Sequence, residues 1–307
     1  MPAEHAPGLR TCARTASGTP CAFSSPMHTA RRRLRVAVLA ALIALFSSQT
    51  ARAKPEISDP NIYRFDPYID TSILVGGFSL WATAYFVVSP IGTNFLCDPC
   101  NPEGMNALDR SALGLHVEGA RLPSYLSYVV PVIGFALLDA TDVGWKNWKT
   151  WMTDFSIVLE SMALQGALTE VFRRAVLRPR PFLYTPGIYP EDRGKSEAIF
   201  SFYSGHVSVA FDMLTALAYT WTMRHPHSRW RWAVWTGTLL VASVFPVLRV
   251  VSGDHFPTDV ITGALVGTSC GILYPALRHR LAASGKAAAT VTPTGDGGAV
   301  LSLTGRF

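Results

Sequence analysis

Four stretches of this chain run for a helix length or more without one Asp, Glu, Lys or Arg: Thr71 to Cys97, Leu122 to Leu138, Trp232 to Leu248 and Val260 to Leu277. Two further apolar stretches carry acids, with Asp154, Glu160 and Glu170 in Trp151 to Val171 and Asp212 in Ser204 to Met223. None shows the strict alternation of a half-buried strand, and no internal repeat is evident. The six runs predict an all-α fold, a six-helix bundle over residues 71–281. A polar linker (54–70) precedes it. A loose Ala/Gly/Thr-rich tail (282–307) follows, in which Ala299 to Leu303 alternates as a short strand does. Uncharged runs of about 17 to 20 residues also qualify as membrane spans. Acids inside such helices are costly in lipid and face the interior.

Composition narrows the reading. With 49% hydrophobic and only 16% charged residues, a disordered chain or a highly solvated charged module is excluded. The formal charge of +6 belongs entirely to the N-terminus, where seven arginines and one acid, Glu4, precede Lys54. The remainder holds 20 basic and 20 acidic residues, which removes nucleic acid as a partner. Residues 1–53 read as a leader: Arg31, Arg32, Arg33 and Arg35 precede an apolar core, Val36 to Phe46, and Ala51-Arg52-Ala53 is a small-x-small cleavage site. This is the pattern of a secretory signal peptide, with Met27 the more natural start and an uncleaved signal anchor the alternative.

Export bears on the cysteines. Cys97 and Cys100 have no second CxxC and no nearby His, so a zinc site is not expected and a small-loop disulfide is. Cys270, inside an apolar run, reads as core.

Basic residues sort to alternate junctions: Lys146 and Lys149, then Arg224, Arg229 and Arg231, then Arg278 and Arg280. By the positive-inside rule these face the cytoplasm and the other junctions face outward. A cleaved leader followed by six crossings would reverse that. Either the leader stays attached while the Thr71 stretch lies in the interface, or the bundle is an exported soluble or peripheral domain.

Three clusters fall at the outward junctions: Arg173 to Pro181 (RRAVLRPRP), Ser201 to His206 (SFYSGH) and Arg249 to Asp259 (RVVSGDHFPTD). If the helices alternate up and down, all three meet in one pocket between helix ends. Arg173, Arg178, Arg180 and Arg249 supply planar forks suited to phosphate oxygens. Pro179 and Pro181 end the preceding helix. Ser204 and Gly205 at a helix start offer a hydroxyl and unpaired backbone N–H groups, with Gly allowing close approach of an anion. His206 and His255 are two imidazoles beside this anion hole. Pro257 begins the last helix, and Asp259 on its first turn is expected to reach a ring nitrogen of His255 and fix its tautomer. Each cluster alone is weak; a helix terminator, a helix start and a capping ion pair all look like this. Their conjunction on matching helix ends is specific.

In these residues the chain resembles the type 2 phosphatidic acid phosphatase and vanadium haloperoxidase superfamily, whose pattern is K-x6-R-P, P-S-G-H and S-R-x5-H-x3-D. Here it reads Arg173-x6-Arg180-Pro181, Tyr203-Ser204-Gly205-His206 and Leu248-Arg249-x5-His255-x3-Asp259. Arg replaces Lys, Tyr replaces Pro and Leu replaces Ser. The resemblance implies a phosphohydrolase without metal or cofactor, working through a phosphohistidine. It makes His255 the nucleophile, Asp259 its orienting carboxylate and His206 the general acid and base. Arg173, Arg180, Ser204, Gly205 and Arg249 bind phosphate. A phosphorylated lipid at a membrane surface of the cell envelope, with the site facing outward, is the implied substrate. A soluble acid phosphatase, a vanadium haloperoxidase and a non-catalytic phospholipid-binding protein are the competing readings.

Overall fold

The computed structural model describes residues 61–86, 97–117, 119–284, 288–293 and 299–304. The leader lies outside them. The described fold is helical: α1 (Pro67–Phe86), α2 (Leu126–Val143), α3 (Trp148–Val176), α4 (Gly205–Arg224), α5 (Arg231–Ala242), α6 (Val244–Val251) and α7 (Pro257–Ser284), with short helical turns at Ala107–Arg110 and Arg121–Ser124.

Helix boundaries follow local chemistry more than hydropathy. α1 starts four residues before its uncharged run because Asp66 caps it, accepting from the N–H groups of Tyr68 and Ile69 at 3.0 Å each. Asp70 reaches back to the Asp66 N–H at 2.7 Å, and Pro67 occupies the first helical position. The expected single helix from Trp232 to Leu248 is two, α5 and α6. Pro246 cannot donate to the carbonyl of Ala242 and its ring crowds that group, so α5 ends there.

α3 and α4 form the centre, α2 and α7 flank them, and α1 packs on α3. α1 and α3 run in the same direction: a Cβ on Gly77 would lie 3.0 Å from Ala163, and the Trp81 indole sits on Gly166. α4 and α7 pack backbone to backbone. A Cβ on Gly263, Gly267 or Gly271 would lie 2.7, 2.1 or 2.2 Å from the carbonyl oxygens of Ser204, Ser208 and Asp212. This four-residue glycine repeat sets the register of the two helices whose first turns carry His206 and Asp259.

The interior is unusually polar. Ser161 donates to Asp212 at 2.7 Å and Gln165 to Ser208 between α3 and α4. At the end remote from the motifs, fully buried Arg224 meets Asp139 at 2.9 Å and Asp142 at 3.0 Å, and also pairs with Asp154. Arg278 joins Glu160 at 3.0 Å and Asp70 at 2.5 Å. These two arginines are therefore internal ion-pair partners rather than rim charges; Lys146, Lys149, Arg229, Arg231 and Arg280 remain exposed at that end.

The outward faces are apolar instead. Val129, Ile133 and Leu137 on α2, Leu240, Val244 and Val247 on α5 and α6, and Ile261, Leu265, Leu273 and Leu277 on α7 are all exposed. Four segments among the described residues are long and apolar enough to cross a membrane: Arg121–Val143, Trp145–Tyr184, Arg231–Val251 and Pro257–Ala283. Polar contacts inside and apolar surface outside are the arrangement of a membrane-associated protein.

Cys97 and Cys100 are disulfide-bonded, with Cα atoms 4.8 Å apart. The tail is more ordered in pairing than expected: Ala288–Pro293 and Ala299–Thr304 form an antiparallel pair of strands with Ala288 opposite Thr304.

Candidate active site

α3 ends where the motif arginines begin. Leu177 adopts a left-handed conformation (φ 48°) and donates to the Arg173 carbonyl at 3.1 Å, and Pro179 prevents continuation. Arg173, buried in the last turn, is held by Glu170 at 2.8 Å. Its guanidinium lies against Gly205, where a Cβ would come within 2.9 Å of Nη2. A residue with a side chain there would displace the arginine, so Gly205 is required for close approach. Beyond the helix, Arg180 donates from Nε to the Glu197 carbonyl at 2.9 Å and from Nη1 to the Asp254 carbonyl at 3.3 Å. Arg178 is committed elsewhere: it pairs with Asp109 at 2.7 Å and Asp259 at 2.5 Å, donates to Thr258 at 2.8 Å, and lies over the Phe256 ring.

α4 opens on Ser204, whose side chain makes no capping bond and whose Oγ is buried without a hydrogen-bond partner among the described residues. The first-turn N–H groups of α4 are thus left without a side-chain acceptor. The His206 ring sits edge-on to Tyr125 (5.3 Å between centroids) and Tyr128 (4.7 Å). Neither of its ring nitrogens has a hydrogen-bond partner among the described residues.

The α6–α7 connection is a tight turn. Gly253 takes φ +75°, with the Leu115 carbonyl 2.6 Å from where its Cβ would be. This turn buries His255 completely. Its Nδ1 is 2.8 Å from the Ser201 carbonyl oxygen, which can only accept, so Nδ1 carries the proton and Nε2 the free lone pair. Nε2 has no partner among the described residues. The tautomer is therefore set by the Ser201 backbone. Asp259 Oδ2 stands 3.7 Å from Nδ1, beyond the direct bond expected from the sequence. That carboxylate instead accepts from Ser201 Oγ at 2.5 Å and from the Phe256 N–H at 2.9 Å, capping α7 and fixing the segment that orients the imidazole.

A cavity of about 730 Å³ opens over these elements. Arg173, Arg180, Arg249 and His206 line it, together with Arg121, Asp254, Tyr125 and Tyr128. A wall from α1, made of Phe78, Trp81, Ala82, Tyr85 and Phe86, continues it as an apolar surface. His255 lies outside the lining shell, but burial and then Arg249, Arg180 and Arg173 depress its pKa well below the ordinary histidine value, which keeps the ring neutral. Burial pushes the Asp254 carboxyl up, yet Arg249, Arg180 and Arg121 hold it below the usual carboxylate range.

The structure brings all eight sequence-derived site residues to one end of the bundle. Four groups around them were not read from sequence. Asp254 lay unremarked inside the third motif, and Ser201 opened the second. Arg121 and Tyr128, far upstream, had no local pattern to mark them.

Comparison with known proteins agrees with the motifs. Residues 155–282 match the model of the PAP2 superfamily. No curated protein sequence matches the chain. The crystal structure of the first transmembrane PAP2 type phosphatidylglycerolphosphate phosphatase from Bacillus subtilis is similar at 21% identity and a TM-score of 0.42, over 70% of this chain and 98% of that one. The residues that match that model run from α3 to α7 and hold both histidines, the motif arginines and Asp259, and over them the chain is similar to the PAP2 superfamily.

Proposed function

We propose that this chain is a membrane-embedded phosphatase that removes phosphate from a lipid phosphomonoester or diphosphate through a phosphohistidine at His255. The observation that carries the reading is the cavity itself, in which the guanidinium groups of Arg173, Arg180 and Arg249 and the His206 ring share one space with the aromatic wall of α1. A phosphate seats on the guanidinium groups and a hydrocarbon chain on the wall. The apolar outward faces of α2, α5, α6 and α7 favour this over a soluble exported phosphatase.

The reaction has two halves. Nε2 of His255 attacks phosphorus in line; the N–P bond forms as the P–O bond to the lipid oxygen breaks, and His206 gives a proton to that oxygen. Burial and then Arg249 lower the His206 pKa before substrate binds, and the bound phosphate dianion raises it again. Water then attacks phosphorus, neutral His206 takes its proton, the N–P bond breaks and inorganic phosphate leaves. Arg173, Arg180, Arg249, the Ser204 hydroxyl and the Gly205 N–H hold the equatorial oxygens, whose charge must be stabilised at each transition state. Asp259, close to Nδ1 but not bonded to it, offsets the positive charge of the phosphorylated imidazole.

The cavity end faces away from the cytoplasm in this account. Exposed Lys146, Lys149, Arg229, Arg231 and Arg280 and the exposed indoles of Trp145, Trp148 and Trp232 all lie at the opposite end. Phosphate release measured on lipid and water-soluble phosphoesters, with EDTA present, tests the function in wild type and His255→Ala. Chelator-resistant, lipid-preferring turnover that His255→Ala abolishes is expected. Activity retained by His255→Ala, or lipid binding with no release by wild type, overturns it.

A further inference from the structure

The turn between α6 and α7 carries a carboxylate that the reaction above does not use. Asp254 is fully buried, lies on the cavity wall and immediately precedes His255. Its Oδ1 accepts from Arg121 Nη2 at 2.9 Å and stands 3.5 Å from Arg180 Nη1. Its Oδ2 stands 3.1 Å from Arg249 Nη1 and accepts from Ser252 Oγ at 2.9 Å. Three guanidinium groups from three separate segments thus converge on one carboxylate. Two of them, Arg180 and Arg249, are assigned above to phosphate. Arg121 also pairs with Asp192 and lies over the Tyr189 ring at 3.9 Å, so it ties the segment after α3 to the catalytic turn.

Cations gathered in a poorly solvated space repel one another far more than in bulk water. Before substrate arrives, something must hold them together, and a planar carboxylate matches the guanidinium fork. We propose that Asp254 is a positioning residue for phosphoryl transfer, holding Arg180 and Arg249, with Arg121 as strut, in a pre-assembled anion cup. The inference rests on the phosphatase reading of the site. An entering phosphate dianion must share these guanidinium groups with Asp254. The carboxylate therefore orders the cup and also limits how tightly phosphate is retained, favouring turnover over ground-state affinity.

The full chain in detergent, as wild type, Asp254→Asn, Asp254→Glu and Arg121→Gln, provides the test. The readouts are kcat on a lipid phosphomonoester, the inhibition constant of inorganic phosphate, and unfolding temperature. Loss of the counter-charge in Asp254→Asn is expected to lower kcat about 100-fold, the scale of a ~1 Å misplacement of reacting groups, while phosphate inhibits more strongly. Asp254→Glu, which keeps the charge, retains the wild-type inhibition constant with an intermediate kcat. Arg121→Gln lowers kcat and weakens phosphate inhibition, at an unfolding temperature close to wild type. If Asp254→Asn fails to fold, the Arg121→Gln and Asp254→Glu arms decide. Wild-type kcat in Asp254→Asn or in Arg121→Gln, or phosphate affinity lost in step with kcat in Asp254→Asn, overturns the positioning role. A wild type that releases no phosphate overturns the phosphatase reading instead, and an active His255→Ala enzyme overturns its phosphohistidine step, so the failures are distinguishable.

Discussion

Gly267→Ala adds one methyl group well down α7 from Asp259, yet it is expected to disable the active site. A Cβ there would lie 2.1 Å from the Ser208 carbonyl oxygen and 2.9 Å from its carbon, where ordinary contact begins near 3.4 Å. The obstacle is backbone, not a flexible side chain, so α4 and α7 must part by more than ~1 Å. Overpacking of that kind costs about 1–3 kcal/mol in stability. Separation also carries His206, on the first turn of α4, away from His255 and Asp259 at the head of α7. A ~1 Å error in reacting groups is worth about 100-fold in rate. The assay is kcat/KM on a lipid phosphomonoester with thermal unfolding in the same detergent. Gly237→Ala serves as control, since nothing lies within 4 Å of its added Cβ. Full activity and unchanged unfolding temperature in Gly267→Ala would refute the claim that the glycine repeat sets the histidine geometry.

Three further outcomes follow from the same contacts. Gly205→Ala should lower kcat/KM about tenfold with little loss of stability, because the Arg173 guanidinium, 2.9 Å from the new methyl, has to move while Thr169 Cγ2, at 3.2 Å, gives by only a few tenths of an ångström; equal activity would detach Arg173 from phosphate binding. Arg224→Met leaves Asp139 and Asp154 buried without their cation and is expected to cost about 3–5 kcal/mol, read by denaturation in detergent, and a neutral result would contradict the pairing. The folded pKa of His255 is lowered, so its proton binds the unfolded chain first. Its contribution to stability is complete above the ordinary value of about 6.5 and is lost as pH falls from there toward the folded value. In kcat/KM corrected for substrate ionisation, the His255 limb accordingly falls below pH ~6.5; a limb above that value would contradict the buried neutral imidazole.

The helices were legible because an uncharged run of span length admits few other folds, and the three motifs because each pairs a helix terminus with a fixed spacing. What escaped the sequence was non-local. Asp259 looked like the partner of His255 from its i,i+4 spacing, but the backbone carbonyl of Ser201, 54 residues upstream, accepts the hydrogen bond from Nδ1–H. Arg178 looked like another phosphate ligand, whereas Asp109 and Asp259 occupy its guanidinium. The break after Ala242 was readable from Pro246, and the start of α1 from the Asp66-Pro67 cap, since both are local rules that override hydropathy. The arginine repeat toward the inner end misled most: Arg224 and Arg278 counted as rim charges, and burial with carboxylates from other helices is invisible in one dimension.

The central claim is that His255 becomes covalently phosphorylated. Wild type and His206→Ala, incubated with a lipid carrying labelled phosphate and quenched in alkali, should both yield a labelled peptide containing His255, and His255→Ala should yield none. Turnover without label on that peptide, or label that persists in His255→Ala, would contradict the account.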